Sequence, residues 1–394
     1  MSETLSIQEA QKLVLLSHNL PPSQQKGKAI EHTLSSIENL GYIQIDTIST
    51  VQRAHHHTLW SRNPKYQNSH LEELVAKKKV FEYWSHAAAY LPMKDYKYSL
   101  PRKNALLTGA QKHWFKKDIE LMKSVMNRID KEGPLMAKDF VHKEKVREWG
   151  SKPAKQALEN LYMQGELMIS YRKNFHKVYD LTERVLPEGI DRSVPTQQEY
   201  LRYLIKSYLR ANGIGQAAEI SYLLKNTKPF ITKALNEMHS SGELLLVTVN
   251  GSGYYTFPQS LTLLNKPLNK AKLKILSPFD NLLIQRKRMQ ILFDYDYQIE
   301  CYIPEKKRKY GYFSLPILWN GKLMARMDCK ADRKTSILHI NHLALEEGVK
   351  DRAAFAIALC NELKGFTQFN NCSEIQVHKT SPSDFKTDLQ GMLK

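Results

Sequence analysis

Apolar and polar positions change period several times along the chain, and each change marks a predicted element. Leu13, Leu16 and Leu20 fall on one helical face, and Ser6-Ile7-Gln8-Glu9 before them has the form of a capping box, the Ser side chain accepting from the Glu amide while the Glu carboxylate reaches back. Pro21-Pro22 stops that helix, since proline has no amide proton to give. A second helical pattern runs through Leu34, Ile37 and Leu40 and ends at Gly41, a residue suited to the left-handed position after a helix. Beyond it the period shortens to two: Ile43 and Ile45 alternate with Gln44 and Asp46, which predicts an extended segment.

The middle of the chain carries a divergent repeat. Ala157-Leu158, Leu161 and Gly165-Glu166-Leu167 recur with the same internal spacing as Ala234-Leu235, Met238 and Gly242-Glu243-Leu244, 77 residues later. Upstream, the short helix signals Ala137 to Phe140 and Ala217 to Ile220 are offset by 80, so the link between the two helices differs by three residues. Downstream of each copy lies a strand pair: Leu167 to Tyr171 with Val178 to Leu181, and Leu244 to Val249 with Tyr254 to Phe257 across an Asn250-Gly251 turn. Helix, turn, helix and a two-stranded wing make a winged helix, and two stand in tandem. The first copy carries Lys152, Lys155, Arg172, Lys173, His176 and Lys177, the second fewer basic residues. That places a phosphate backbone nearer the first, with a merely solvated basic face as the alternative.

Beyond residue 265 the pattern is mixed: strands from Tyr312 to Leu318 and Leu323 to Met327 joined at Asn320-Gly321, and a terminal helix over about Ala353 to Gly365. The fold class is therefore α+β.

The 394 residues suffice for two or three domains, and at 42% hydrophobic content the chain is too apolar to be disordered. Fifty-eight Lys and Arg against 40 Asp and Glu leave a formal charge of +18, which calls for a polyanionic partner. No apolar run approaches the length of about 20 residues that a membrane span needs, and the amino terminus lacks a signal-peptide pattern, so a soluble cytoplasmic protein is expected. Cys301, Cys329, Cys360 and Cys372 form no Cys-x-x-Cys pair and read as buried free thiols.

Several segments together resemble one family, the bacterial winged-helix DNA glycosylases of the AlkZ and YcaQ type. They are Gln44-Ile45-Asp46-Thr47 with Arg53; Glu82-Tyr83-Trp84-Ser85-His86-Ala87; Phe175 with Val178 to Thr182; Leu276 to Asp280 with Arg286-Lys287-Arg288; and Glu300 to Pro304 followed by Lys307 to Phe313, Leu315-Pro316 and Gly321 to Asp328. They occur in the family's order over nearly the whole chain. The resemblance implies three tandem winged-helix units in a C-shaped chain around a basic channel, the third including the amino-terminal region. It implies hydrolysis of the N-glycosidic bond of alkylated purines, notably N7-alkylguanine, and unhooking of interstrand crosslinks. Gln44-Ile45-Asp46 matches the family's catalytic motif in its YcaQ-like form, with a carboxylate in third place. The expected organisation is an amino-terminal region with that motif over 1–95, winged helices over 96–190 and 191–265, and an α+β region with a basic hairpin over 266–394. The expected partner is double-stranded DNA, bound by a monomer.

The motif is chemically sensible. In an extended chain Gln44 and Asp46 project to one side about 6.6 Å apart while Ile43 and Ile45 anchor the other. An N7-alkylated guanine is already cationic and leaves readily, so what remains is to stabilise oxocarbenium character on the sugar and to aim a water. Asp46 suits both tasks, with Gln44 holding the water, and no cofactor is required. The alternative is that Asp46 caps a helix beginning at Thr47-Ile48. His55-His56-His57 cannot converge on one ion in regular structure and reads as a polar, DNA-facing segment with Arg53 and Arg62. Arg286, Arg288, Lys307 and Arg308 are further candidates for phosphate contact. Trp84 and His86 either line the site or form a structural pair; Tyr310 and Tyr312 either stack at the lesion or belong to a half-buried strand. A non-catalytic winged-helix regulator is the competing function, and an RNA-binding role follows it, although the aromatic pattern of an RNA-recognition sheet is absent.

Overall fold

The computed structural model describes residues 3–23, 26–140 and 152–393. Chain contacts divide it into two units, Gln67–Tyr203 and Met1–Tyr66 with Leu204–Lys394.

Two modules share one order of elements. In the smaller unit the helix Ile119–Glu132 leads to a short strand, Leu135–Met136, a 3-10 turn at Ala137–Asp139, the helix Pro153–Met163, and the strands Leu167–Lys173 and His176–Leu181. The second module runs through Gln197–Asn212, Ile214–Gly215, Ala217–Ile220, Lys228–Ser240, Leu245–Val249 and Ser252–Thr256. In each, the short strand pairs antiparallel with the second strand of the hairpin. The repeat read from the sequence is thus a repeat of structure. The link of the first copy, whose length the repeat constrains, lies largely outside the described residues.

Both hairpins turn on two residues with positive φ, Asn174 and Phe175 in the first and Asn250 and Gly251 in the second, the backbone of a type I′ turn. Phe175 occupies the place glycine takes in the second copy, and Arg172 secures it, lying 4.5 Å from the ring and donating to the Phe175 carbonyl at 2.7 Å.

The core of the smaller unit is built from Val125 and Ile129 of one helix, Leu158 and Leu161 of the next, and Leu167 and Tyr179 of the hairpin. In the larger unit the helix Ile7–Ser17 begins with the expected capping box: the Glu9 amide donates to Ser6 Oγ at 3.2 Å and the Ser6 amide to the Glu9 carboxylate at 2.8 Å. Its inward residues Leu13, Val14 and Leu15 are fully buried with Val247, Val249 and Leu292. The helix Ala29–Leu40 stops at Gly41, whose φ of 79° is the left-handed cap.

The carboxy-terminal part is a six-stranded sheet. Lys274–Ile275, Ser314–Trp319, Lys322–Asp332 and Ile337–Leu345 are antiparallel neighbours in that order, and Glu374–Val377 and Thr380–Ser381 each pair parallel with Ile337–Leu345. The helix Arg352–Phe369 packs beside it and continues past Gly365, where the close ring of Trp60 leaves room for little more than a methyl group. The strand expected from Tyr312 begins at Ser314, because side chains rather than a ladder hold the preceding backbone, as described below. No described helix is long and apolar enough to cross a membrane.

Candidate active site

The extended segment forms as its alternation predicts. Ile43 and Ile45 are buried, at 0% and 7% exposure, while Gln44 and Asp46 are half-buried on the opposite side. Only Ile43–Gln44 is strand, and the chain then runs without regular structure until the helix Ala54–Arg62. Asp46 therefore caps no helix at Thr47-Ile48. Its Oδ1 accepts from the Ile48 amide at 2.8 Å, a local turn that fixes the carboxylate. Burial raises its pKa above the ordinary value for aspartate, opposed in part by the Ile48 and Thr47 amides. A carboxylate made more basic and left half-open is a better acceptor for a proton from water.

A second segment, more than 250 residues away in the chain, lies within reach of the Asp46 charge. Partial desolvation and the negative charge of Asp46 raise the pKa values of the Cys301 thiol and the Tyr302 phenol. Tyr302 is 77% exposed, and its phenol also feels Tyr312, over whose ring the Arg308 guanidinium lies at 5.1 Å. Glu300 ties down the loop between them: its carboxylate accepts from the amides of Lys309, Tyr310 and Gly311 at 3.0, 2.8 and 3.0 Å. Asp328 does the same one step on, accepting from the Phe313 amide at 2.7 Å. Gly311 is required here, since its φ is 137° and a Cβ would come within 2.3 Å of the Asp328 carboxyl carbon. Tyr310 and Tyr312 accordingly lie in a side-chain-held loop and not in a strand. Sequence reasoning did not single out Cys301 and Tyr302 beside Asp46; they stood in the quoted motif, but nothing in their spacing pointed there.

Several expected DNA contacts are corrected by burial. Arg62 is 1% exposed and bidentate with the equally buried Asp280 at 2.6 and 2.8 Å, its Nε donating to the His18 carbonyl at 3.0 Å. Arg288 is buried against Glu219, with which it pairs at 3.4 Å. Arg286 spends its guanidinium on the carbonyls of Leu283 and Pro278. Arg172 is bidentate with buried Glu82 at 2.6 and 2.8 Å. All four hold the fold together. The histidine run is not DNA-facing either: His55 and His57 are buried, His57 Nε2 meets the Ile275 carbonyl at 3.0 Å, and His56 Nδ1 meets the Tyr66 hydroxyl at 2.7 Å. Among the described residues no group of three or more His, Cys, Asp or Glu is placed to hold a metal ion. Arg53 is partly buried; Lys152, Lys155, Lys173 and Lys307 are exposed; Arg308 is half-buried, with Nε on the Ile303 carbonyl at 2.8 Å. Trp84 and His86 are half-buried in the smaller unit.

The larger unit also contains a cavity of about 640 Å³ lined by Ser17, Asn39, Lys206, Arg210 and Glu243 among others, and neither Gln44 nor Asp46 borders it. Lys206 and Glu243 close on each other there at 2.7 Å, which neutralises both.

Over residues 37–369 the sequence matches the model of the AlkZ-like DNA glycosylases. The chain belongs to that family. The glycosylase is also similar in fold to the solved structure of Streptomyces sahachiroi DNA glycosylase AlkZ, with a TM-score of 0.66 and 16% identity over 95% of this chain and 99% of that one. It is thus an α+β DNA glycosylase of DNA repair, and its substrate is DNA.

Proposed function

We propose that this glycosylase excises N7-alkylated guanine from duplex DNA by hydrolysis of the N-glycosidic bond, acts as a monomer without a metal, and unhooks crosslinks made through the same atom. The observation that carries the proposal is the shared, half-open side of Gln44 and Asp46 on a segment whose other side is buried. Asp46 faces the anomeric carbon, stabilises the positive charge that develops there, and accepts the proton of the attacking water; Gln44 holds that water. Protonation of the leaving base is not needed, because the alkylated guanine is already cationic. The two modules act as winged helices, the first meeting phosphates through exposed lysines such as Lys173, and Lys307 of the carboxy-terminal part is a further exposed contact.

The test is a duplex with a single N7-methylguanine, incubated with the protein and then treated with alkali. A strand break at the modified position is expected. Binding without an abasic product would turn the reading toward a regulator. The pH dependence follows from the raised pKa of Asp46: base help requires the ionised carboxylate, so the enzyme-dependent single-turnover rate should fall as pH drops through an inflection above 3.8, the ordinary value. A rate flat down to pH 4 removes Asp46 as the base.

Binding itself should be mostly electrostatic, because exposed basic residues are spread over several segments. If about six phosphates are engaged, the slope of log affinity against log salt is near −5, and removing both exposed lysines of the 3-10 turn Glu305–Lys307, Lys306→Ala with Lys307→Ala, lowers affinity for any duplex without slowing the chemical step at saturating enzyme. A salt-independent affinity contradicts this.

A further inference from the structure

The smaller unit carries an aromatic and cationic cluster with no part in the chemistry described above. Trp114 lies in the irregular segment between the helices Leu100–Leu107 and Ile119–Glu132 and is 53% exposed, an unusual state for so large a ring. It is not loose. Its ring packs on Trp84 with centroids 5.1 Å apart and on His113 at 4.0 Å, and the Arg102 guanidinium covers Trp84 at 5.5 Å. The segment is tied back by Lys117, which donates to the Leu106 carbonyl at 2.8 Å, by the Gln111 amide on the Ala105 carbonyl at 2.8 Å, and by the Phe115 amide on His113 Nδ1 at 3.0 Å. The ring is thus held outward on a firm backing.

The charge beside it has one sign. Lys112 and Lys116 flank Trp114 and are exposed, and among the described residues neither they nor Arg102 form an ion pair. Asp118, the nearest carboxylate in sequence, caps the next helix by accepting from the Leu121 amide at 3.0 Å. A flat, exposed indole between unpaired cations matches a nucleotide, with a π face for the ring and phosphates for the ammonium groups.

We propose that Trp114 is a stacking platform for an unpaired nucleobase of the bound DNA, with Lys112 and Lys116 on the flanking phosphates. A paired base keeps its faces against its neighbours and offers the indole nothing, so the site distinguishes DNA with an extruded or unpaired base from a continuous duplex. The inference rests on the family's DNA substrate and is independent of the adduct chosen above.

The experiment measures affinity of the full chain, by fluorescence anisotropy, for three DNAs: a continuous duplex, the same duplex with one unpaired adenine, and the single strand. Trp114→Ala is expected to weaken the second and third roughly tenfold or more and the first by less than about twofold, the loss of one stacked base. Trp114→Phe, which retains a ring, should recover most of the difference, and 2-aminopurine at the unpaired position should be quenched by the wild type and not by Trp114→Ala. Lys112→Ala with Lys116→Ala lowers all three affinities together and calibrates the charge contribution. Equal loss on the three DNAs for Trp114→Ala, or no loss, overturns the proposal. Because the readout is binding, it does not depend on whether N7-methylguanine is excised.

Discussion

Asp46→Asn is expected to slow excision of N7-methylguanine by roughly 10²- to 10⁴-fold in single turnover, the range a positioned general base supplies. The substitution keeps size and hydrogen-bonding capacity, so the turn that Asp46 makes with the Ile48 amide survives and the protein stays folded. DNA affinity should be unchanged or slightly higher, because a negative charge near phosphates has been removed. Loss of charge and loss of position are separated by Asp46→Gln, which also removes the charge but carries its amide one methylene further out: partial activity there would rank water positioning above charge. An Asp46→Asn protein with the wild-type single-turnover rate would falsify the catalytic assignment.

The second large effect concerns Arg62, a residue the sequence offers as a DNA contact. Arg62→Ala leaves the carboxylate of Asp280 buried without its partner, and breaking such a pair costs about 3 to 5 kcal/mol. That is a large share of a typical net stability of about 5 to 15 kcal/mol. A marked fall in the urea midpoint is expected, with unchanged DNA affinity per folded molecule. A stable Arg62→Ala protein with weakened DNA binding would return Arg62 to the phosphate contacts.

The same region predicts the acid side of stability. Burial holds His18 down to about 3 and His56 and His57 to about 4, well below the ordinary 6.5. The unfolded chain therefore binds protons that the folded one does not between about pH 6.5 and 4, so stability falls as pH drops through that window. Asp280 acts lower: burial alone would raise its pKa, but the Arg62 guanidinium and the Leu282 amide hold it below the ordinary carboxylate range, so its contribution is lost only below about pH 4.

Local rules were sufficient for much of this molecule. The capping box at Ser6, the glycine stop at Gly41, the Asn-Gly turns and the period-two segment at Ile43 to Asp46 depend on a few consecutive residues, and each appears where its pattern places it. The repeat at Ala157 and Ala234 was legible for the same reason, since each copy is a run of consecutive helices and strands. What the sequence could not decide was which charges are inside. Arg62, Arg172, Arg286 and Arg288 look like any other basic residues, and only partners such as Asp280, 218 positions away from Arg62, and Glu82, 90 positions away from Arg172, turn them inward. Likewise the loop after Cys301 and Tyr302, whose side chains feel the Asp46 charge, is folded back by Glu300 and Asp328 through backbone amides. Periodicity records the preference of a side chain for water or for the core, whereas a buried ion pair depends on a partner that the tertiary fold alone brings within reach.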